Sequence, residues 1–338
     1  MQGRSSLIEM LGYCRPQGSN AQKVFCDKYL RPVFGTPDKA GNYIRKVGDN
    51  PNICFTAHHD TVHSQSGQQV VQVIGDIVSL PHKSKSSCLG ADCTTGIWLI
   101  LGMIEAGVEG VYVVHASEEI GCLGSQYIVQ REAKWLKGLD AVISFDRYGK
   151  DSIITHQMGS RTASDEFARS LSEALNLPNL QPDPTGSYTD SNEYIEVVGE
   201  CSNISVGYYS QHTTRETQDL KFAEILLERL IDARWDQLVF SRQPGEYDWR
   251  DDYYSYDRYA NYGTSYTPTN NYTLYPNDAE SSEEEISIRF MSYVAEKYPE
   301  KIAELLIKEW GFTAEALLDE LGFAYDNDLV DEYLRYYG

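Results

Sequence analysis

The stretch ICFTAHHDTV at residues 53–62 joins an apolar run to polar residues that can bind metals or carry protons. The apolar part predicts a buried strand over Asn52–Thr56, and His58 and Asp60 follow where that strand ends. Open α/β sheets bind their ligands beside the carboxyl ends of their strands. We therefore expect a central strand here, with a functional site at its end.

The rest of residues 1–245 alternates strand-like runs with helical patterns. Further strands are predicted at Val70–Leu80, Gly110–Ala116, Ala141–Phe145, Ser152–His156 and Asn203–Gly207. Helices, in which apolar residues recur every three to four positions, are predicted at Ala21–Leu30, Thr95–Ala106, Ala163–Asn176 and Leu220–Phe240. This alternation is typical of an α/β fold, so we expect a three-layer α/β/α domain with a mixed, largely parallel central sheet.

Composition narrows the class of protein. The 338 residues include 50 acidic and 29 basic side chains, for a formal net charge of −21. Such acidity argues against binding to nucleic acids or to anionic membranes, both of which need an excess of Lys and Arg. No segment resembles a signal peptide or a membrane span, and seven scattered cysteines predict reduced thiols. We therefore expect a cytoplasmic protein.

The acidity is concentrated after residue 245. Residues 246–338 hold 21 acidic and 7 basic side chains, and nine tyrosines lie between Tyr247 and Tyr275. We expect a Tyr/Asp-rich linker or wrap over 246–283, followed by a small acidic helical module over 284–338. Because tyrosine offers a large contact area with few rotors, this tail predicts self-association or binding to a protein partner.

Four more polar clusters follow predicted strands or open a predicted helix. Each alone is common in solvated loops, but the set occurs in an order and spacing that loops do not explain. The clusters are Leu89–Gly96 (LGADCTTG), Ser117–Gly121 (SEEIG), Ser144–Arg147 (SFDR) and Gln211–Glu216 (QHTTRE).

Together the five clusters hold the donors of a two-metal centre. Two dications need about one bridging carboxylate, two terminal carboxylates and two imidazoles, which are oxygen and nitrogen donors that zinc accepts. The clusters supply that set with one glutamate to spare, which suits a general base for a water shared by the ions. Asp60, two residues beyond His58, can reach the other imidazole nitrogen and fix its tautomer.

These motifs resemble those of the zinc-dependent exopeptidase superfamily (peptidase clan MH). The family patterns H-x-D-T-V, G-A-D-D-x-x-G, E-E-x-G, a strand-end Asp and a late His before an acidic residue are similar to HHDTV, GADCTTG, SEEIG, FDR and HTTRE. The resemblance covers residues 5–240. It implies a di-metal peptidase domain over residues 1–245, with two Zn²⁺ ions, or Co²⁺ or Mn²⁺ in their place.

The resemblance also implies roles for individual residues. Asp92 corresponds to the bridging carboxylate, Glu118 to the general base and Asp60 to the acid that orients an imidazole. The residues that correspond to the remaining metal ligands are His58, Glu119, Asp146 and His212.

Three positions complicate this assignment. Cys93 replaces the second Asp of the family pattern G-A-D-D-x-x-G. In the family that second Asp is not expected to be a metal ligand. Arg147, next to a ligand, suits a substrate carboxylate or an ion pair with a nearby acid. Asp190, in the loop TGSYTD, is expected to support the site or to contact substrate.

The function predicted from these features is hydrolysis of peptide amide bonds at a chain end. The interval between Asp146 and His212 leaves no room for the lid domain of carboxypeptidase-like relatives, so an aminopeptidase acting on short peptides is the first choice. A carboxypeptidase or N-acyl amino acid deacylase with the same site is the alternative. A non-catalytic scaffold with an interaction tail is the second alternative.

Overall fold

The structure, a computed structural model, describes residues 3–131 and 134–246. The predicted linker over 246–283, after its first residue, and the predicted module over 284–338 lie outside the described residues, so both stay predictions. The strands, in chain order, are β1 (Tyr13–Cys14), β2 (Tyr43–Val47), β3 (Ile53–His58), β4 (Gly67–Gln68), β5 (Gln72–Ile74), β6 (Ile77–Ser79), β7 (Gly110–His115), β8 (Ala141–Arg147), β9 (Ser152–Ile154), β10 (His156–Gln157), β11 (Ser160–Arg161), β12 (Gln181–Asp183), β13 (Glu200–Ser205), β14 (Tyr208–Tyr209) and β15 (Thr217–Asp219).

The described residues also contain seven α-helices. They are α1 (Arg4–Met10), α2 (Asn20–Phe25), α3 (Arg31–Phe34), α4 (Ala91–Ala106), α5 (Leu123–Gln130), α6 (Asp165–Ala174) and α7 (Leu220–Ile231). A π-helical turn at Cys26–Leu30 joins α2 to α3, and 3₁₀ turns lie at Lys134–Gly138, Asp190–Tyr194 and Trp235–Gln237. None of the described helices has the length and apolar character needed to cross a membrane.

The central sheet has seven strands in the order β12-β9-β13-β8-β3-β7-β2. The middle strands β13, β8, β3 and β7 run parallel to one another. The sheet is mixed because β2 pairs antiparallel with β7, and β9 pairs antiparallel with β13. The expected mixed, largely parallel sheet is therefore confirmed.

Both faces of this sheet are covered. Side chains alternate along the strands, so Phe55 and Tyr112 enter one core with Trp98 of α4, whereas Cys54 and Val111 enter the other. All residues of β3 and β7 are buried, as expected for parallel strands between helix layers. The expected three-layer arrangement is thus the one observed.

Helix α4 approaches the sheet closely enough to require a glycine. A Cβ on Gly96 would lie 2.3 Å from the carbonyl oxygen of Phe145 in β8. The absence of that side chain lets the first turn of α4, with Asp92, lie against the ends of β3 and β8.

Four predicted elements are divided in the structure. The strand expected at Ser152–His156 is β9 followed, in a separate sheet, by β10. The helix expected at Leu220–Phe240 ends at Ile231, and a 3₁₀ turn follows at Trp235–Gln237.

The other two are divided inside an apolar run. The strand expected at Val70–Leu80 is the hairpin β5–β6, which turns at Gly75 with a positive φ of +63° and lies in a separate four-stranded sheet. The helix expected at Ala21–Leu30 changes from α- to π-helical geometry at Cys26. In both cases apolar residues continue through the point where the backbone changes direction or helix type, so the sequence pattern does not predict the change.

Candidate metal centre

The predicted metal-binding residues converge at the carboxyl ends of the central strands. They arrive from five chain segments, because the parallel strands all end at this edge and α4 begins there. His58 is the last residue of β3, Asp92 lies in the first turn of α4, Glu118 and Glu119 follow β7, Asp146 lies near the end of β8, and His212 follows β14.

Asp92, Glu119 and His212 form one potential ligand group. The Nε2 atom of His212 lies 2.9 Å from Asp92 Oδ2 and 3.5 Å from Glu119 Oε1. Their donor atoms lie within 4.8 Å of one another, as in a group that could hold a single ion. Hydrogen bonds with the two carboxylates raise the pKa of His212 to about 11, against the opposing effect of burial.

His58 belongs to a second group that also contains Asp92. Donor atoms of His58, Asp92 and Cys93 lie within 4.8 Å of one another. His58 Nε2 is 3.5 Å from Asp146 Oδ1. Asp92 therefore lies between the two groups, which is the position that a bridging carboxylate requires. Although burial opposes ionisation, His212 and His58 lower the pKa of Asp92 to about 2.

These residues fit divalent cations. Glu119 Oε1 is buried and has no hydrogen-bond partner in the described part of the chain. A buried carboxylate oxygen without a donor is costly unless a cation neutralises it. The three carboxylates of Asp92, Glu119 and Asp146 and the two imidazoles of His58 and His212 also form the oxygen and nitrogen donor set that zinc and similar ions prefer.

Of the two adjacent glutamates, Glu118 is the one that lies outside the group formed by Asp92, Glu119 and His212. Its Oε2 atom is 4.0 Å from His58 Nε2. Burial and the nearby charges of Asp146, Asp190 and Glu119 raise the pKa of Glu118 well above its ordinary value, against the opposing effect of His58. A carboxyl group in such surroundings binds a proton readily.

The side chain of Asp60 binds the backbone amides of Glu118 and Glu119. The Asp60 carboxylate accepts hydrogen bonds from the amides of Glu118 (3.2 Å) and Glu119 (3.1 Å). Its Oδ1 lies 3.6 Å from His58 Nδ1, while the Asp60 backbone oxygen is closer to that nitrogen, at 3.1 Å. In this structure Asp60 therefore positions the loop of Glu118 at least as directly as it positions the imidazole.

The backbone is strained at three positions around the site. Ser117 (φ +63°) precedes the glutamate pair, Cys122 (φ +56°) follows it, and His212 itself has φ +61°. Non-glycine residues adopt this region at a cost of about 1–3 kcal/mol each and do so mainly at functional sites. The three positions flank the glutamate pair or belong to His212 itself, which places the strained backbone at the candidate ligands.

Glu216 is a site residue whose role the sequence did not reveal. Its fully buried carboxylate accepts hydrogen bonds from the amides of Leu89 (2.8 Å), Gly90 (3.0 Å) and Ala91 (2.7 Å). It thereby caps α4, whose N-cap residue Gly90 has no side chain. Burial and Asp92 raise the pKa of Glu216 to about 7, although the three amide donors oppose this. The spacing H-x-x-x-E places Glu216 near His212 in the sequence but does not predict its contact with α4.

Replacing Glu216 should therefore destabilise the protein and disturb Asp92. In Glu216→Gln, the side-chain NH₂ replaces one carboxylate oxygen and faces a backbone N–H, so at least one backbone amide loses its acceptor. We therefore expect a loss of about 1–3 kcal/mol in the free energy of unfolding. Urea unfolding at pH 8, where Glu216 is ionised, measures this loss. Glu228→Gln, an exposed change on α7, is the matched control. Equal unfolding midpoints for the two variants would contradict this role.

Asp190 lies buried beside the site with its own partners. It accepts a hydrogen bond from Ser125 Oγ (2.6 Å) and lies 3.1 Å from His115 Nδ1. The preceding residue, Thr189, donates to Asp146 Oδ2 at 2.8 Å. The loop that contains Asp190 thus holds a predicted ligand through Thr189.

Arg147 is buried and paired. Its Nη2 atom lies 3.1 Å from Asp183 Oδ2, 3.0 Å from Thr185 Oγ1 and 3.3 Å from the hydroxyl of Tyr148. Its guanidinium also stacks on the Tyr148 ring, 4.0 Å from the centroid. The structure therefore brings Arg147 together with Asp183, the ion pair that the sequence left open, and not with the ligand groups.

Solved structures of peptidases share this fold. The aminopeptidase PepT from Bacillus cereus is 13% identical, with 68% of this chain and 96% of that chain covered, at a TM-score of 0.52. A TET aminopeptidase from a marine-sediment Thaumarchaeota archaeon is 14% identical, with 69% and 97% covered, at 0.53. A tripeptidase from Staphylococcus aureus is 13% identical, with 68% and 95% covered, at 0.53.

No protein-family model matches the chain, and no curated protein sequence does. The fold implied by the resemblance is confirmed by the three peptidase structures. Because their identities to this chain are so low, the likeness concerns the fold, and the activity has to be argued from the site.

Proposed function

We propose that this chain is a metal-dependent exopeptidase, and specifically an aminopeptidase that cleaves short peptides. The observation that carries this proposal is the pair of ligand groups that share Asp92, with Glu118 beside them. The known proteins with this fold named above are two aminopeptidases and a tripeptidase, which supports the same class of reaction.

In this proposal His212 and Glu119 would hold one divalent ion, His58 and Asp146 would hold the other, and Asp92 would contribute to both sites. Zinc is the expected ion. When bound, the two ions would supply Lewis acidity towards the peptide carbonyl and would lower the pKa of water. Asp60 and Thr189 keep the ligand side chains in place through the hydrogen bonds described above.

Glu118 acts as the general base and then as the general acid. Its carboxylate takes a proton from the attacking water and passes that proton to the amine that leaves. A raised pKa suits both transfers, because the group then holds the proton between the two steps. His58, 4.0 Å away, opposes part of this rise in the pKa of Glu118.

The pairing of Arg147 favours a substrate with a free amino terminus. Arg147, the cation beside Asp146 in the sequence, is already paired with Asp183. It is therefore not free to bind a substrate carboxylate, which favours aminopeptidase over carboxypeptidase activity.

A substrate panel tests this assignment. We expect zinc-loaded protein to cleave aminoacyl anilides about 10–100-fold faster than their N-acetylated forms, since a charge-assisted hydrogen bond contributes about 1.5–3 kcal/mol. A chelator should abolish cleavage, and added zinc should restore it. Preferential cleavage of blocked substrates would move the assignment to a deacylase or carboxypeptidase. Metal binding without cleavage of either set would favour the non-catalytic scaffold.

A further inference from the structure

Cys93 lies next to Asp92 in the first turn of α4, and its sulfur faces the site. This side chain is fully buried, and its Sγ lies within 4.8 Å of donor atoms of both His58 and Asp92. Ligand atoms around one tetrahedral zinc ion are about 3.5 Å apart, given bonds of about 2.0–2.3 Å. The sulfur is thus close enough to become a ligand after a small movement of the three side chains.

A buried guanidinium lies against the same sulfur. Arg15 is fully buried, and its Nη2 atom donates to Cys93 Sγ at 3.1 Å and to the hydroxyl of Thr94. Its Nε and Nη1 atoms are buried without a hydrogen-bond partner in the described part of the chain. Arg15 also stacks on Phe25, 3.8 Å from the ring centroid, an arrangement that keeps it from water.

Arg15 has no anionic partner among the described residues. Arginine stays protonated in proteins, and a buried cation without an anion is strongly unfavourable. No carboxylate of the described residues forms an ion pair with Arg15. Of the two side chains that accept its hydrogen bonds, Cys93 and Thr94, only the sulfur is a ligand that zinc commonly takes. A thiolate can accept the Arg15 hydrogen bond and still offer a lone pair to a metal ion.

We propose that Cys93 is a thiolate ligand of the ion held by His58 and Asp92, with Arg15 as the residue that positions and neutralises the sulfur. On binding, the S–H bond breaks, the proton passes to solvent, and the sulfur shares an electron pair with the ion. No electron is transferred. This inference rests on the proposed metal-dependent function. It narrows the choice of ion, because thiolate favours Zn²⁺ and Co²⁺ over Mn²⁺.

Cobalt substitution tests the proposal in the full-length protein. We expect Co²⁺-loaded wild-type protein to show an intense near-ultraviolet sulfur-to-cobalt charge-transfer band in addition to its visible d–d bands. Cys93→Ser should lose the charge-transfer band and keep the d–d bands. Cys88→Ser, which changes a buried cysteine outside the ligand groups, should keep both.

X-ray absorption at the zinc edge of the wild-type protein gives a second reading that needs no variant. A sulfur shell at about 2.3 Å is expected beside the nitrogen and oxygen shell at about 2.0–2.1 Å. Bound metal without a sulfur shell or charge-transfer band would overturn the role of Cys93 and leave the peptidase proposal intact. A band that persists in Cys93→Ser would assign the sulfur to another cysteine. Failure to bind zinc or cobalt would overturn both proposals.

Discussion

Glu118→Gln should reduce peptide hydrolysis by about 10²–10⁴-fold while both metal ions stay bound. Glutamine keeps the size of the side chain but cannot take a proton from water, and general-base catalysis contributes a factor of this size. The Asp60 bonds to the backbone of residues 118 and 119 do not involve the side chain that changes. The loop should therefore keep its shape, so the loss should appear in kcat.

The measurement pairs steady-state kinetics with metal analysis of the same preparation. Glu173→Gln, which changes an exposed carboxylate on α6, controls for the loss of one negative charge. Full activity in Glu118→Gln would remove Glu118 from the mechanism. Loss of metal from this variant would instead make Glu118 a ligand, in line with its place near His58.

Asp92→Asn should remove both metal ions and lower activity by at least about 10³-fold. Asp92 belongs both to the group with Glu119 and His212 and to the group with His58 and Cys93. In the proposed arrangement its change should therefore affect both ions, whereas a change in Asp146 or His212 should affect one. Asparagine can still accept the hydrogen bond that Asp92 Oδ1 receives from the Cys93 amide at 2.8 Å. The first turn of α4 should therefore survive the substitution.

Metal stoichiometry decides this prediction. We expect about two ions per chain in the wild-type protein, about one in Asp146→Asn or His212→Ala, and none in Asp92→Asn. Thermal unfolding with and without added zinc gives a second reading, because an ion that binds only the folded state raises its stability. One tightly bound ion in Asp92→Asn would show that this carboxylate is not shared.

The sequence predicted most of the central sheet because the information was local. Buried parallel strands read as continuous apolar runs, so the strand expected at Asn52–Thr56 is observed at Ile53–His58, and Gly110–Ala116 at Gly110–His115. Edge strands carry no such signal. Strand β2, with Arg45 and Lys46 on its exposed positions, was not predicted.

The pattern of apolar residues also failed to predict turns inside apolar segments. The strand expected at Val70–Leu80 is a hairpin because Gly75 and Asp76 reverse the chain between two short apolar runs. Alternation of residue type predicts extended backbone on both sides of such a turn. It does not distinguish one long strand from two short ones.

By itself, the sequence of this protein determined the fold class and the residue types gathered at the strand ends. Strand burial and helix periodicity are properties of neighbouring residues, so His58, Asp92, Glu119, Asp146 and His212 could be assigned to one edge of a sheet. The tertiary structure decided which groups face one another across the fold. The Arg147–Asp183 pair, the Glu216 cap on α4 and the Arg15–Cys93 contact join residues 36 to 127 positions apart. Strand order and helix packing create those contacts, and no local pattern encodes them.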